Sequence, residues 1–170
     1  MEKPYESKNH YRGLVLDASQ VVVTGDAVCV CVVHGDDHGL SEWTPQRWAD
    51  FARVCAASDF VIEQSVRDPL MLLGLVQSGE LDRSYAPGEL CTQIATAAQA
   101  ATTEDELARA LRRQRNRHQV RIVWRDLTRQ ADLVQTCRDL SDLADAAIDE
   151  AYQWLYPRHC QQFGTPVGNR

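Results

Sequence analysis

The sequence predicts an all-α protein, a helical bundle over residues 41–170 preceded by an atypical leader over residues 1–40. Three observations predict it. From Thr44 onward, residues that can cap a helix recur just ahead of apolar residues spaced three and four apart. Thr103-Glu104-Asp105-Glu106 is a capping box, with hydroxyl and carboxylate placed to satisfy each other's backbone donors. Residues 20–33, by contrast, alternate Val28, Val30 and Val32 with Cys29, Cys31 and Val33, the two-residue period of a strand.

In chain order, the leader reads as a small hairpin around Thr24-Gly25-Asp26, marginal by itself in water, or as a disordered segment. Thr44-Pro45 then offers an N-cap followed by proline at the first helical position, with Trp48, Phe51, Ala52 and Cys55 on one face. Ser58 caps a second helix carrying Phe60, Val61 and Val66. Asp68-Pro69 starts a third through Met71, Leu72, Leu75 and Val76, which Gly79 ends. Beyond the turn-rich Ser84 to Gly88, an alanine-rich helix reaches about Ala101, and the capping box opens a long helix to about Leu127. The last helix is expected from Asp132 to Tyr156, with Leu133, Cys137, Leu140, Ala144, Ala147, Ala151 and Trp154 as its seam and a kink or break at Pro157.

A chain of 170 residues can bury a core without staples. Its 18 Lys and Arg against 24 Asp and Glu give a net charge of −6, which argues against a nucleic-acid binder held by bulk electrostatics. The six cysteines, Cys29, Cys31, Cys55, Cys91, Cys137 and Cys160, follow no signal peptide and read as free thiols of a cytoplasmic protein. The most apolar window, Leu14 to Val33, is interrupted by Asp17, Gln20 and Asp26, so no membrane span is expected.

Three groups of residues invite a functional reading. Cys29, Cys31 and His34 have metal-ligand chemistry, but one intervening residue is too tight for a zinc pair, and no metal site is expected there. Arg109, Arg113, Arg117, Arg121 and Arg125 recur every four residues. Such a stripe can grip phosphates, or can pair with Asp139, Asp142, Asp145, Asp149 and Glu150 of the last helix, the more ordinary arrangement for mixed charge in a bundle. His118, in the same run, reads as a solvated or packed residue. Asp142, Asp145 and Asp149 share one helix face, yet a divalent cation asks for stricter geometry than one face supplies. No nucleophile triad or phosphate loop stands out, so residue chemistry alone stops at a helical bundle.

Four segments carry a more specific signal: TPQRWADFARVCAASDFV at 44–61, RDPLMLLGLVQSGEL at 67–81, RRQRNRHQVRIVWRDLTRQADLVQTCRDLSDLADAAI at 112–148 and YQWLYPRHCQQFGTP at 152–166. Together they resemble the amino-terminal region of bacterial glutamine synthetase adenylyltransferase, the bifunctional adenylyl-transferring and adenylyl-removing enzyme. The resemblance implies the helical part of a nucleotidyltransferase-fold domain in the adenylyl-removing half. It implies AMP transfer from ATP to a tyrosine of glutamine synthetase, phosphorolytic removal, and control by the PII signalling protein and glutamine. Magnesium and ATP would serve the intact enzyme through aspartates of a glycine-rich Ser-Asp-x-Asp motif.

Two departures from the family qualify these expectations. Gly164-Thr165-Pro166 would lead into that motif, which is absent here, while Ser58-Asp59 and Ser141-Asp142 fall in helical patterns. The chain is therefore expected to hold no catalytic residue, metal or cofactor of its own, and to be inactive alone. Residues 1–40 do not resemble the family's helical leader and read as a misread segment. Arg117, Arg121 and Arg125 are the nucleotide-binding candidates, glutamine synthetase and PII the expected partners, and a non-catalytic adaptor binding either one is the alternative.

Overall fold

Helices begin where a side chain can take up the first unpaired backbone N–H groups. In a computed structural model, which describes residues 22–24, 27–29 and 43–166, this happens at five sites that the sequence marks. Thr44 caps α1 (Pro45–Ala57), Ser58 caps α2 (Asp59–Arg67) and Asp68 caps α3 (Pro69–Gln77). After α4 (Glu89–Gln99), Thr103 and Glu106 form both arms of the capping box at α5 (Glu104–Leu127), and Asp132 caps α6 (Leu133–Phe163). Gly79, at φ 68°, turns the chain out of α3, a left-handed conformation that suits a residue without a β-carbon. Among the described residues these six helices make up the fold beside one short ribbon, in which β1 (Val22–Thr24) pairs antiparallel with β2 (Ala27–Cys29). The turn expected at Gly25-Asp26, the remainder of the leader and the candidate ligands Cys31 and His34 lie outside the described residues.

α5 is the axle of the bundle. On one side Val120 and Trp124 join Phe51, Val54 and Cys55 of α1, Val61 of α2, Met71, Leu72 and Leu75 of α3, and Leu81. On another side Ile122 meets Leu90 and Ile94 of α4 and Leu143 and Ala146 of α6. Near its start, Leu107 joins Ala98, Ala101 and Trp154, whose indole N–H donates to the Ala101 carbonyl at 3.1 Å. A helix surrounded in this way has little solvent face to spare, so its long polar side chains must find partners inside.

α6 departs from the sequence expectation twice. It runs through Pro157 to Phe163 without a break. The carbonyl deprived of a partner by the proline belongs to the exposed Gln153, where water can serve it. Arg158 donates to the neighbouring Trp154 carbonyl at 2.8 Å and lays its guanidinium over the Trp154 ring. The inward seam is also different. Asp139, Leu143, Ala146 and Trp154 are buried, whereas Leu133, Cys137, Leu140 and Ala144, all expected inside, are exposed. An apolar count skips a seam that starts on a carboxylate. Once Asp139 is fixed inward by an arginine, the i+4 and i+7 positions follow it.

Candidate functional site

The arginine stripe of α5 meets the connection between α3 and α4, residues 78–88, and there the polar chemistry of the molecule is concentrated. Arg117 donates to a Glu80 carboxylate oxygen at 2.6 Å and to the Met71 carbonyl at 3.5 Å. Arg121 is fully buried, and each of its nitrogens has a different acceptor. Nε reaches the Glu80 carbonyl at 2.9 Å, one terminal nitrogen reaches Asp139 at 3.2 Å, and the other reaches the Arg83 carbonyl at 2.6 Å. Its guanidinium also lies 3.5 Å from the centre of the Tyr85 ring, close enough for a cation–π contact. Arg125, buried too, donates to the Leu81 carbonyl at 3.3 Å, the Ser84 hydroxyl at 3.3 Å and the Gln130 carbonyl at 3.0 Å. One turn of α5 after another thus supplies donors to backbone carbonyls of this irregular segment, of which Glu80 and Leu81 are buried.

Glu80 is the hub of this arrangement. Its carboxylate takes the Arg117 bond and also the Tyr85 hydroxyl proton at 2.6 Å, and the same hydroxyl lies 3.2 Å from His118 Nδ1. Because the hydroxyl donates to Glu80, it accepts from His118, which fixes the neutral Nδ1–H tautomer of the imidazole. Burial raises the Glu80 carboxyl, but the Tyr85 hydroxyl and Arg117 outweigh it and hold the group below its ordinary range. Tyr85 moves the other way: burial, and then the hydrogen bond to Glu80 and the Glu80 charge, push its phenol well above the usual value. Burial, followed by the repulsion of Arg117, lowers His118 to about 4. At the outer edge, Arg83 grips Glu89 with both terminal nitrogens and lowers that carboxyl to about 2.

The structure therefore brings Arg117, Arg121 and Arg125 together, but with their donors turned toward the protein. Of the three, Arg117 keeps some solvent contact, its side chain being 21% exposed. Pairing with the last helix is narrower than the sequence suggests: Asp139 alone among its five named acids bonds to the stripe, and its other carboxylate oxygen accepts from Gln135. Arg113 pairs instead with Asp68 at 3.3 Å. Asp142, Asp145 and Asp149 stand exposed. Among the described residues no group of three or more His, Cys, Asp or Glu side chains is placed to hold a metal ion. His118 is packed. Spacing alone does not mark Glu80, Tyr85 and Asp139 as one inward network. The available signal was Leu81 and Tyr85 lying apolar within a turn-rich stretch, which marks a connection that packs inward.

The family model described as glutamate-ammonia ligase adenylyltransferase matches residues 48–170. The chain belongs to that family. It is 69% identical over 131 residues to a bifunctional glutamine synthetase adenylyltransferase/adenylyl-removing enzyme of Pseudomonas putida, a stretch covering 77% of this chain and 13% of the relative. Enzymes of the same name from Pseudomonas aeruginosa and Thioalkalivibrio sulfidiphilus are 58% identical over 131 residues and 41% identical over 114 residues. These cover 77% and 67% of this chain, and 13% and 12% of the relatives. The chain thus spans about one eighth of the length of the curated relatives it matches. No solved structure matches it. The matched region contains almost all of α1 and every later helix, so the stripe, the 78–88 connection and α6 all fall within the adenylyltransferase family region. Among the described residues no helix is long and apolar enough to cross a membrane.

Proposed function

We propose that this chain forms a helical scaffold in the adenylyl-removing half of an enzyme that adds AMP to, and removes it from, glutamine synthetase, and that by itself it catalyses neither reaction. The carrying observation is the identity of 69% over 131 residues to an enzyme of that name, in a region whose arginines are engaged in holding the fold. In this reading ATP and magnesium act in the intact enzyme. The described residues of this chain do not suit the cation, because their carboxylates do not converge. Glutamine synthetase and PII are partners of the whole enzyme, working in the cytoplasm. Of the three nucleotide-binding candidates, Arg117 is the one left for a nucleotide phosphate, since Arg121 and Arg125 are buried against backbone carbonyls.

The test is to incubate the purified chain with glutamine synthetase, ATP, inorganic phosphate and magnesium, and to follow AMP on the target tyrosine. No transfer and no release are expected; turnover in a clean preparation would overturn the reading. Calorimetric titration with glutamine synthetase and with PII, run in parallel, separates a scaffold from a stand-alone adaptor. Saturable binding without turnover favours the adaptor.

A further inference from the structure

α6 has a second apolar face. Outside the seam of Asp139, Leu143, Ala146 and Trp154, the helix presents Leu133, Leu140, Ile148, Tyr152, Tyr156 and Phe163 to solvent. The exposure is substantial: 75% at Leu133, 66% at Ile148 and 73% at Phe163. Positions 140, 144, 148, 152 and 156 follow one another at four-residue spacing, forming a ridge that drifts slowly around the helix. Tyr152 and Tyr156 stack with ring centres 5.1 Å apart, and Phe163 stacks on His159 at 5.8 Å, so the ridge is ordered as a surface. From Leu140 to Tyr156 it runs about 24 Å along the 31-residue helix. Isolated exposed leucines are ordinary, whereas a continuous stripe of this length marks an interaction surface.

We propose that this outer face of α6 is where the rest of the same adenylyltransferase polypeptide packs on the bundle. The inference rests on the scaffold reading above and adds the face through which the scaffold works. Two observations choose the occupant. The whole ridge lies inside the family match, yet that match spans only 13% of the Pseudomonas putida enzyme, so in the relatives this helix is accompanied by several times its own mass of polypeptide. The edge of the ridge is charged as an interface rim is: Asp145 and Asp149 are exposed and form no salt bridge within the described residues. The matching surface is accordingly apolar at its centre, with basic side chains facing these aspartates.

The experiment replaces the aligned segment of the Pseudomonas putida enzyme with residues 43–166 of this chain and compares that enzyme with the 170-residue chain by hydroxyl-radical labelling. Labelling of Tyr152, Tyr156 and Phe163 is expected to be several-fold slower in the long enzyme than in the short chain. In parallel, Ile148→Asp is expected to lower the melting midpoint of the long enzyme and leave that of the short chain unchanged. The unaltered Pseudomonas putida enzyme, labelled over the helix aligned with α6, reads the same face without any replacement. Equal labelling in both settings overturns the proposal. So does protection in the short chain that grows with its concentration, which would assign the ridge to a second copy. The two readings fail separately. If deleting the aligned segment leaves both activities of the long enzyme intact, the scaffold reading falls; if deletion abolishes activity while labelling stays equal, only the choice of face falls.

Discussion

The α5 interior and the α6 exterior invert the usual distribution of residues. Arg121, His118 and Asp139 are buried where leucines are expected, while Leu133, Ile148 and Phe163 stand in water where charges are expected. The inversion is possible on the inside because almost every donor has an acceptor at bonding distance. A buried charge becomes costly chiefly when one partner is lost. On the outside, α6 has already covered one side of the bundle with the seam of Asp139, Leu143, Ala146 and Trp154, leaving its other apolar residues for another contact. Hydrophobicity alone therefore misplaces both regions, and bonding partners decide the first of them.

The contrast is most directly broken at its centre. Arg121→Met keeps the length of the side chain but strands Asp139 and two backbone carbonyls, and a loss of about 3–5 kcal/mol is expected in urea unfolding. A loss below about 1 kcal/mol would show that water can replace the guanidinium there. Acid acts on the same region through His118, whose ordinary value of 6.5 falls to about 4 in the folded protein. Between these values the unfolded chain binds the additional proton, so the contribution is fully present above pH 6.5 and is lost as the pH falls toward 4. Its full size is about 3 kcal/mol, and His118→Leu is expected to flatten the stability profile over that window. Away from the seam, Thr103→Ala removes one arm of the capping box on α5 and should cost about 1 kcal/mol by thermal melting. Smallest of all, Ile148→Ser on the outer ridge should change the stability of this chain by less than about 0.5 kcal/mol. A larger loss would mean that the ridge is already covered.

The starts of the helices were legible because capping is local: Thr44, Ser58, Asp68, Thr103 and Asp132 all lie within three residues of the donors they satisfy. The seam of α6 was not, because its register is set by a bond between Asp139 and an arginine eighteen residues earlier on another helix. The arginine stripe was legible as a stripe but not in its direction. Four-residue spacing states that Arg117, Arg121 and Arg125 share a side, while only the packing of α1–α3 and α6 around α5 determines that this side faces inward. Pro157 taught a related lesson, since the cost of a missing donor depends on whether the orphaned carbonyl can reach water.

Glu80 also has a consequence for how the protein opens. Connections between helices ordinarily exchange their amide protons by small local excursions. Here the segment from Glu80 to Tyr85 is tied to α5 through one carboxylate bond, three backbone carbonyls and an aromatic ring. It cannot lift away without uncovering Arg121 and Arg125 together. The connection thus belongs to the same cooperative unit as the helix it grips, and the first segments to open should be found elsewhere in the molecule.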